Sequence, residues 1–450
     1  MKNILIIKNI NKLYGFDLDE NFFEINNCSL IIKDGRYYKL IVKNKNNYNY
    51  IISNFKFSEN FISFFENSNE KEIIIKDYNL NEFNFYEIDS SSFSVAPTFV
   101  DPHTHAIFNG YRENEFFLRN SGTSYLEIAK RGGGIGYSVK MTREASDELL
   151  LKNLLIRLER FAKFGISHIE IKSGYGLTKN DEIRLLQVIK KAKNYTNISI
   201  YPTCLAAHDY PPELKNEDYT KRSSWVDIIL NEIIPEVKEK NLAIFFDIFS
   251  EEKVFNLKDT EKILYKAKDY GFKLKAHTDE LSNIGATELA VSLGATSVDH
   301  LLKISDNGIN ALKNSNTIPV LLPGTAFYLN EPYAPYDKFK SNSIDIAIGS
   351  DFNPGTNCTE NIQLIYTIAA IKLKMNLKEL LKSSTITASK ALAIDKNNIV
   401  GIIDKNRDAN LNIFDSPNLE HIYYHWGINH IKKTLIKGTE VYVNLSNNNN

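Results

Sequence analysis

Two histidines one residue apart, His103 and His105, stand at the end of an apolar run that includes Phe99 and Val100. On an extended strand, residues i and i+2 face the same side, so the two imidazoles converge while Thr104 turns away. Two neutral ring nitrogens make half of a zinc or iron site. A hydrolytic site holds its ion with about four ligands and leaves a position for water. His277 and Asp351 supply further imidazole and carboxylate, a set suited to one divalent ion, Zn2+ or Fe2+. Singly, His277 reads as a core histidine and Asp351 as a loop cap. A second ion would call for a bridging group, often a modified lysine, and the run 243–249 ends without one; Lys172 belongs to a different run.

A repeated unit must position these groups. From residue 92 onward, short apolar runs alternate with amphipathic helical stretches, the pattern of βα repeats. Eight runs read as strands: 93–101, 166–173, 198–206, 243–249, 273–278, 297–301, 317–322 and 344–351. Leu150, Leu154, Leu158 and Phe161 share one helical face, and Gly165 closes that helix. Residues 181–193 behave alike. His103 and His105 follow the first strand, Tyr175 the second and His208 the third, while His277, His300 and Asp351 close the fifth, sixth and eighth. Placement at the carboxyl ends of strands favours a closed barrel over an open doubly wound sheet. The expected fold is α/β: a TIM-like (β/α)8 barrel over 92–394, with a small β-sandwich domain built from both chain ends, 1–91 plus 395–450. In those ends, 37–42, 72–75 and 434–443 read as short strands, and 385–394, at the close of the barrel segment, reads as a helix leading into them. The Asn-rich tracts 44–49 and 447–450 read as solvated loop and tail.

Composition narrows the partner. With 43% hydrophobic and 24% charged residues and a net charge of −1, the 450-residue chain has no global pull towards nucleic acid or anionic membranes, so a small molecule is expected. Three scattered cysteines, Cys28, Cys204 and Cys358, make no disulfide framework or Cys-rich zinc site. No apolar stretch reaches the roughly 18 residues of a membrane span, and the first residues lack a secretory pattern, so the cytoplasm is expected.

Several stretches carry a more specific signal. Phe99-Val100-Asp101-Pro102-His103-Thr104-His105, Arg112-Glu113-Asn114-Glu115-Phe116 and Lys172-Ser173-Gly174-Tyr175-Gly176-Leu177 are joined by His277-Thr278-Asp279-Glu280, Leu321-Leu322-Pro323-Gly324-Thr325 and Asp351-Phe352-Asn353-Pro354-Gly355-Thr356. In these the chain resembles the imidazolonepropionases of the amidohydrolase superfamily, which open the imidazolone ring in histidine degradation. The resemblance implies hydrolysis of the cyclic amide of 4-imidazolone-5-propanoate to N-formimidoyl-L-glutamate by a metal-activated water, and a homodimer. It also implies that Arg112 grips the substrate carboxylate with its planar fork. By the same resemblance Tyr175, His208, Glu280, Asn353, Gly355 and Thr356 contact substrate.

Opening the ring needs a nucleophilic water, a polarised carbonyl and a proton for the departing nitrogen. Glu280, His300 and Asp351 are the groups that could share this work, and the sequence does not divide it among them. The loop 132–136 is glycine-rich but lacks the lysine and hydroxyl of a phosphate cradle, and reads as a mobile active-site loop. Two rival readings are a cyclic deaminase, which would need no carboxylate clamp, and a non-catalytic scaffold, which would tolerate loss of the metal ligands.

Overall fold

The computed structural model describes residues 2–65, 83–123, 127, 133–215 and 217–444, so the expected strand 72–75 and the tail 447–450 lie outside the described residues. The chain opens with β1 (Lys2–Phe16), β2 (Phe22–Lys33), β3 (Arg36–Val42), β4 (Ile62–Phe64), β5 (Phe83–Asp89) and β6 (Ser94–Pro97). Eight further strands follow, β7 (Phe99–Asp101), β8 (Ile166–Lys172), β9 (Ser199–Ala207), β10 (Phe245–Ser250), β11 (Lys273–Thr278), β12 (Ser297–His300), β13 (Ile318–Leu321) and β14 (Ala347–Ile348). Three close the chain, β15 (Leu411–Phe414), β16 (Ile431–Ile436) and β17 (Thr439–Val443).

β7 to β14 pair in sequence order and all in parallel. The ring is drawn shut beyond the strands themselves: Asp351 N–H donates to His103 O at 2.9 Å and His105 N–H to Phe352 O at 2.9 Å. Each βα crossover forms for a local reason. Ser146, Thr178 and Asn256 accept a backbone N–H two or three residues into helices Asp147–Lys163, Lys179–Ala192 and Leu257–Asp269. Leu150, Leu154, Leu158 and Phe161 all face the core, and Gly165 follows with φ +91°.

The remaining strands make one nine-stranded mixed sheet, in the order β17-β16-β15-β6-β1-β2-β3-β4 with β5 beside the first half of β1. Alternation along β1 buries both of its faces: Ile4 and Ile6 pack with Ile31 and Ile41, while Leu5 and Ile7 pack with Leu30, Ile32 and Leu435. Two side chains tie this sheet to the first crossover helix. Asn412 Nδ2 donates to Gly165 O and Thr434 Oγ1 to Ala162 O, both at 2.9 Å.

Three local expectations differ from the structure. The run 93–101 is two strands, because Ser94–Pro97 pairs with β1 and β15 before the chain crosses at Thr98 into the barrel. The Asn-rich tract near 44–49 begins a helix, Lys45–Asn54, whose amino terminus is capped by the Asn44 side chain and whose Ile51 is buried. The eighth strand is reduced to two residues, since backbone groups beyond it bond to the extension of β7 instead.

Candidate active site

Beyond β7 the chain stays extended through His103 and His105, while Thr104 points the other way and donates its hydroxyl to Glu170 O at 2.5 Å. His277 comes from β11 and Asp351 from just beyond β14. The strand ends bring four atoms together: His105 Nε2 lies 3.3 Å from His103 Nε2 and 3.4 Å from His277 Nε2, and Asp351 Oδ1 lies 3.5 Å from both His103 Nε2 and His105 Nε2. Atoms bound to one tetrahedral ion at about 2.0–2.1 Å stand about 3.3 Å apart, a spacing that His103, His105 and Asp351 approach, with His277 Nε2 adjoining the set through His105. All four residues are buried.

Burial also sets the charge state. It holds the His103 and His105 imidazoles well below the usual histidine range, so both are neutral and keep a lone pair for a metal. His103 Nδ1–H donates to Asp299 at 2.6 Å and His277 Nδ1–H to Asp247 at 3.2 Å, which leaves each Nε2 facing the cluster. Burial pushes the Asp351 carboxyl up to about 6, against the Thr325 hydroxyl that donates to its Oδ2 at 2.6 Å.

Sequence reasoning missed the charged layer beneath these ligands. Lys172 Nζ sits 2.6 Å from Asp247 and 2.8 Å from Glu170, and Lys275 Nζ sits 3.0 Å from Glu170 while donating to Pro102 O. Burial disfavours the Lys172 cation, but Asp247, Glu170 and Asp299 outweigh it and raise its pKa. The available signal was charge inside apolar strands, as in Ile169-Glu170-Ile171-Lys172 and Val298-Asp299-His300.

The residues expected at the substrate surround the same mouth. The His208 ring stacks on His105 with centroids 5.0 Å apart, and Tyr175 meets His208 edge-on at 5.4 Å. His208 Nδ1–H donates to Gly174 O at 2.9 Å; Gly174, at φ +109°, has no room for a Cβ against that ring and Leu205 O. Burial drops His208 to about 3. Glu280 Oε2 is 3.6 Å from His300 Nε2, and burial, with Asp351 and Glu251 nearby, raises the Glu280 carboxyl well above its ordinary range. His300 Nδ1 is buried and makes no hydrogen bond among the described residues.

Arg112 precedes helix Glu113–Asn120 and pairs with Glu115 at 3.3 Å, yet its side chain is buried rather than at the surface. Its guanidinium lies against Gly355 so closely that a Cβ there would collide with Nη2. Asn353 braces the loop in which it sits. Its Oδ1 accepts the Gly355 and Thr356 N–H groups, and its Nδ2 donates to Asp351 O and Thr356 Oγ1, each at 2.7–2.8 Å. The side chain is thus spent on shaping the loop after Asp351. Gly132 lies outside the described residues; Gly134 N–H donates to Glu115 at 2.7 Å.

Two further carboxylates were missed. Glu182 accepts the Gly174, Gly176 and Leu177 N–H groups, fixing the turn that bears Tyr175. Glu251 accepts the Glu280, Leu281 and Ser282 N–H groups and the Ser282 hydroxyl, fixing the turn that bears Glu280. Backbone strain gathers at the same rim: His300 has φ +81° and Asp351 φ +51°, a region that side-chain-bearing residues rarely occupy.

Comparison with known proteins adds the family. Residues 228–441 match the family model described as "Amidohydrolase family". The chain is 45% identical over 351 residues to the imidazolonepropionase of Thermoanaerobacter pseudethanolicus, covering 78% of this chain and 83% of that protein. It is 43% identical to that of Fusobacterium nucleatum, covering 79% and 84%. Among solved structures, 5-methylcytosine deaminase from Klebsiella pneumoniae superposes with a TM-score of 0.67 at 14% identity, covering 99% of this chain and 98% of that one, which speaks to the fold alone.

Proposed function

The chain belongs to the imidazolonepropionase family, and from that premise we propose that it hydrolyses the ring amide of 4-imidazolone-5-propanoate to N-formimidoyl-L-glutamate, a step of histidine degradation. The observation that carries this reading is the cluster of three Nε2 atoms and Asp351 Oδ1, all 3.3–3.5 Å from His105 Nε2 or His103 Nε2, at the mouth of a barrel. His103, His105, His277 and Asp351 would hold one divalent ion, Zn2+ or Fe2+. When bound, such an ion supplies Lewis acidity and brings the pKa of a water near neutrality. Lys172 is engaged by carboxylates on every near side, which favours one ion over a bridged pair.

The chain's own groups do the rest. Arg112 binds the propanoate carboxylate, and its ion pair with Glu115 orients the fork. Tyr175 and His208 wall the ring on the side of His105. The attacking water gives up a proton to Asp351, whose Oδ2 is already held by Thr325. Glu280, whose burial favours the protonated carboxyl, serves the nitrogen that leaves when the ring C–N bond breaks. His300, with Nδ1 free of partners among the described residues, donates to the carbonyl oxygen as charge builds there. A cytoplasmic homodimer completes the proposal, supported by the family and by three cysteines that are all unpaired.

The test is to supply freshly made 4-imidazolone-5-propanoate to the metal-loaded protein and follow product by mass spectrometry. N-formimidoyl-L-glutamate above the spontaneous background, lost in His277→Ala, is the expected result. Release of ammonia from an amino-substituted ring, with Arg112→Ala as active as the parent, would favour a deaminase instead.

A further inference from the structure

The protein has nine histidines, and five of them line the barrel mouth. A sixth, His168, is buried on β8 with Nδ1 2.8 Å from Ser167 Oγ. The other three, His421, His425 and His430, meet at one place between helix Leu419–Tyr424 and the residue preceding β16, in the sequence His421-Ile422-Tyr423-Tyr424-His425-Trp426-Gly427-Ile428-Asn429-His430. One ring nitrogen from each lies within 4.8 Å of the others, and the ring centroids are 5.3–5.5 Å apart.

The backbone holds this arrangement firmly. Asn418 caps helix Leu419–Tyr424 at His421 N–H, and His425 N–H donates to His421 O at 2.8 Å, so His421 and His425 share a helical face. His430 immediately precedes β16; its N–H donates to Gln363 of helix Ile362–Lys372 and its O accepts Asp415 N–H. Its Nε2 contacts His425 O at 2.6 Å. A carbonyl can only accept, so Nε2 carries the proton and a neutral His430 keeps its lone pair on Nδ1. His430 is buried, His421 half-buried and His425 exposed, which leaves the cluster open on one side.

We propose that His421, His425 and His430 form a second metal site, selective for an imidazole-loving divalent transition ion such as Zn2+, Cu2+ or Ni2+. Donors on one tetrahedral ion stand about 3.3 Å apart, so a rotation of the exposed His425 side chain closes the remaining gap. The ion clasps helix Leu419–Tyr424 to the start of β16, at the point where both lean on helix Ile362–Lys372. It binds only the folded chain and therefore raises the unfolding temperature without touching the barrel mouth.

The test strips the full-length protein with chelator, dialyses it against Zn2+, and counts ions per chain by elemental mass spectrometry, beside His421→Ala/His425→Ala and the milder His425→Asn. The expected result is one ion fewer in the double variant, fewer also in His425→Asn, product formation unchanged in both, and a Zn2+-dependent rise in Tm that only the parent shows in full. Cu2+ bound to the parent should show a multi-imidazole spin-resonance signal that the double variant lacks. Equal ion counts in parent and variants, or the same Zn2+-dependent Tm rise in all three, would overturn the site.

Discussion

Three of the four proposed ligands at the barrel mouth are held through their second polar atom, while His105 Nδ1 makes no hydrogen bond among the described residues. Asp299 fixes His103, Asp247 fixes His277, and Thr325 fixes Asp351. Losing an outer partner of this kind costs about 10–100-fold in metal affinity or activity. Asp299→Asn and Thr325→Val should therefore weaken Zn2+ binding by about that factor while the protein still folds, which a chelator competition titration measures. Removing Lys172 acts differently. Lys172→Met leaves Asp247 without its buried cation while Glu170 keeps Lys275, and breaking a buried pair from one side typically costs about 3–5 kcal/mol, readable in a urea titration. The proposed ligands stood out in the sequence because imidazoles and a carboxylate at the ends of apolar runs have few other uses. Their supports were fainter: Asp247 and Asp299 show only as charges inside apolar strands and Thr325 as an ordinary residue after one, until the barrel closes and places them one layer down.

At the scale of elements, the rim is built from short turns each held by one buried carboxylate. Glu251 gathers three N–H groups of the turn bearing Glu280, and Glu182 three of the turn bearing Tyr175. Glu251→Gln replaces an accepting oxygen with a donor facing other donors, so Glu280 should be displaced. The expected outcome is a kcat lowered about tenfold or more, with a changed alkaline limb of the pH–rate profile and little change in metal content. Glu182→Ala strands buried N–H groups at roughly 1–3 kcal/mol each and should lower Tm as well as raise KM. The eight barrel strands were legible from apolar runs of the right length between helical stretches; the second to seventh fall within two residues of their expected bounds, and the eighth keeps only Ala347–Ile348 of 344–351. The run 93–101 was misread as one strand because apolar character continues across Thr98 while the pairing partner changes from β1 to β8. Glu182 and Glu251 carried no sequence signal, since an acidic residue in a helix's first turn or in the turn after a strand is usually solvated.

At the scale of the whole molecule, the chain commits neutral histidines to its interior, and this fixes how stability depends on pH. Burial lowers His168 to about 3 and His208 to about 3 in the folded state. The unfolded chain protonates them near 6.5, so below about pH 6.5 it binds more protons than the native state. Their stabilising share is full above pH ~6.5 and shrinks as pH falls towards about 3. His168→Gln, which lies away from the mouth, should therefore lose less Tm than the parent when the pH is lowered from about 7 to about 5. The account as a whole turns on four atoms meeting at one ion. The most direct test is anomalous diffraction from crystals of the zinc-loaded protein, collected on both sides of the zinc edge. The account predicts a strong peak bound by His103 Nε2, His105 Nε2, His277 Nε2 and Asp351 Oδ1; no peak at the barrel mouth, or an ion held there by a different set of side chains, would contradict it.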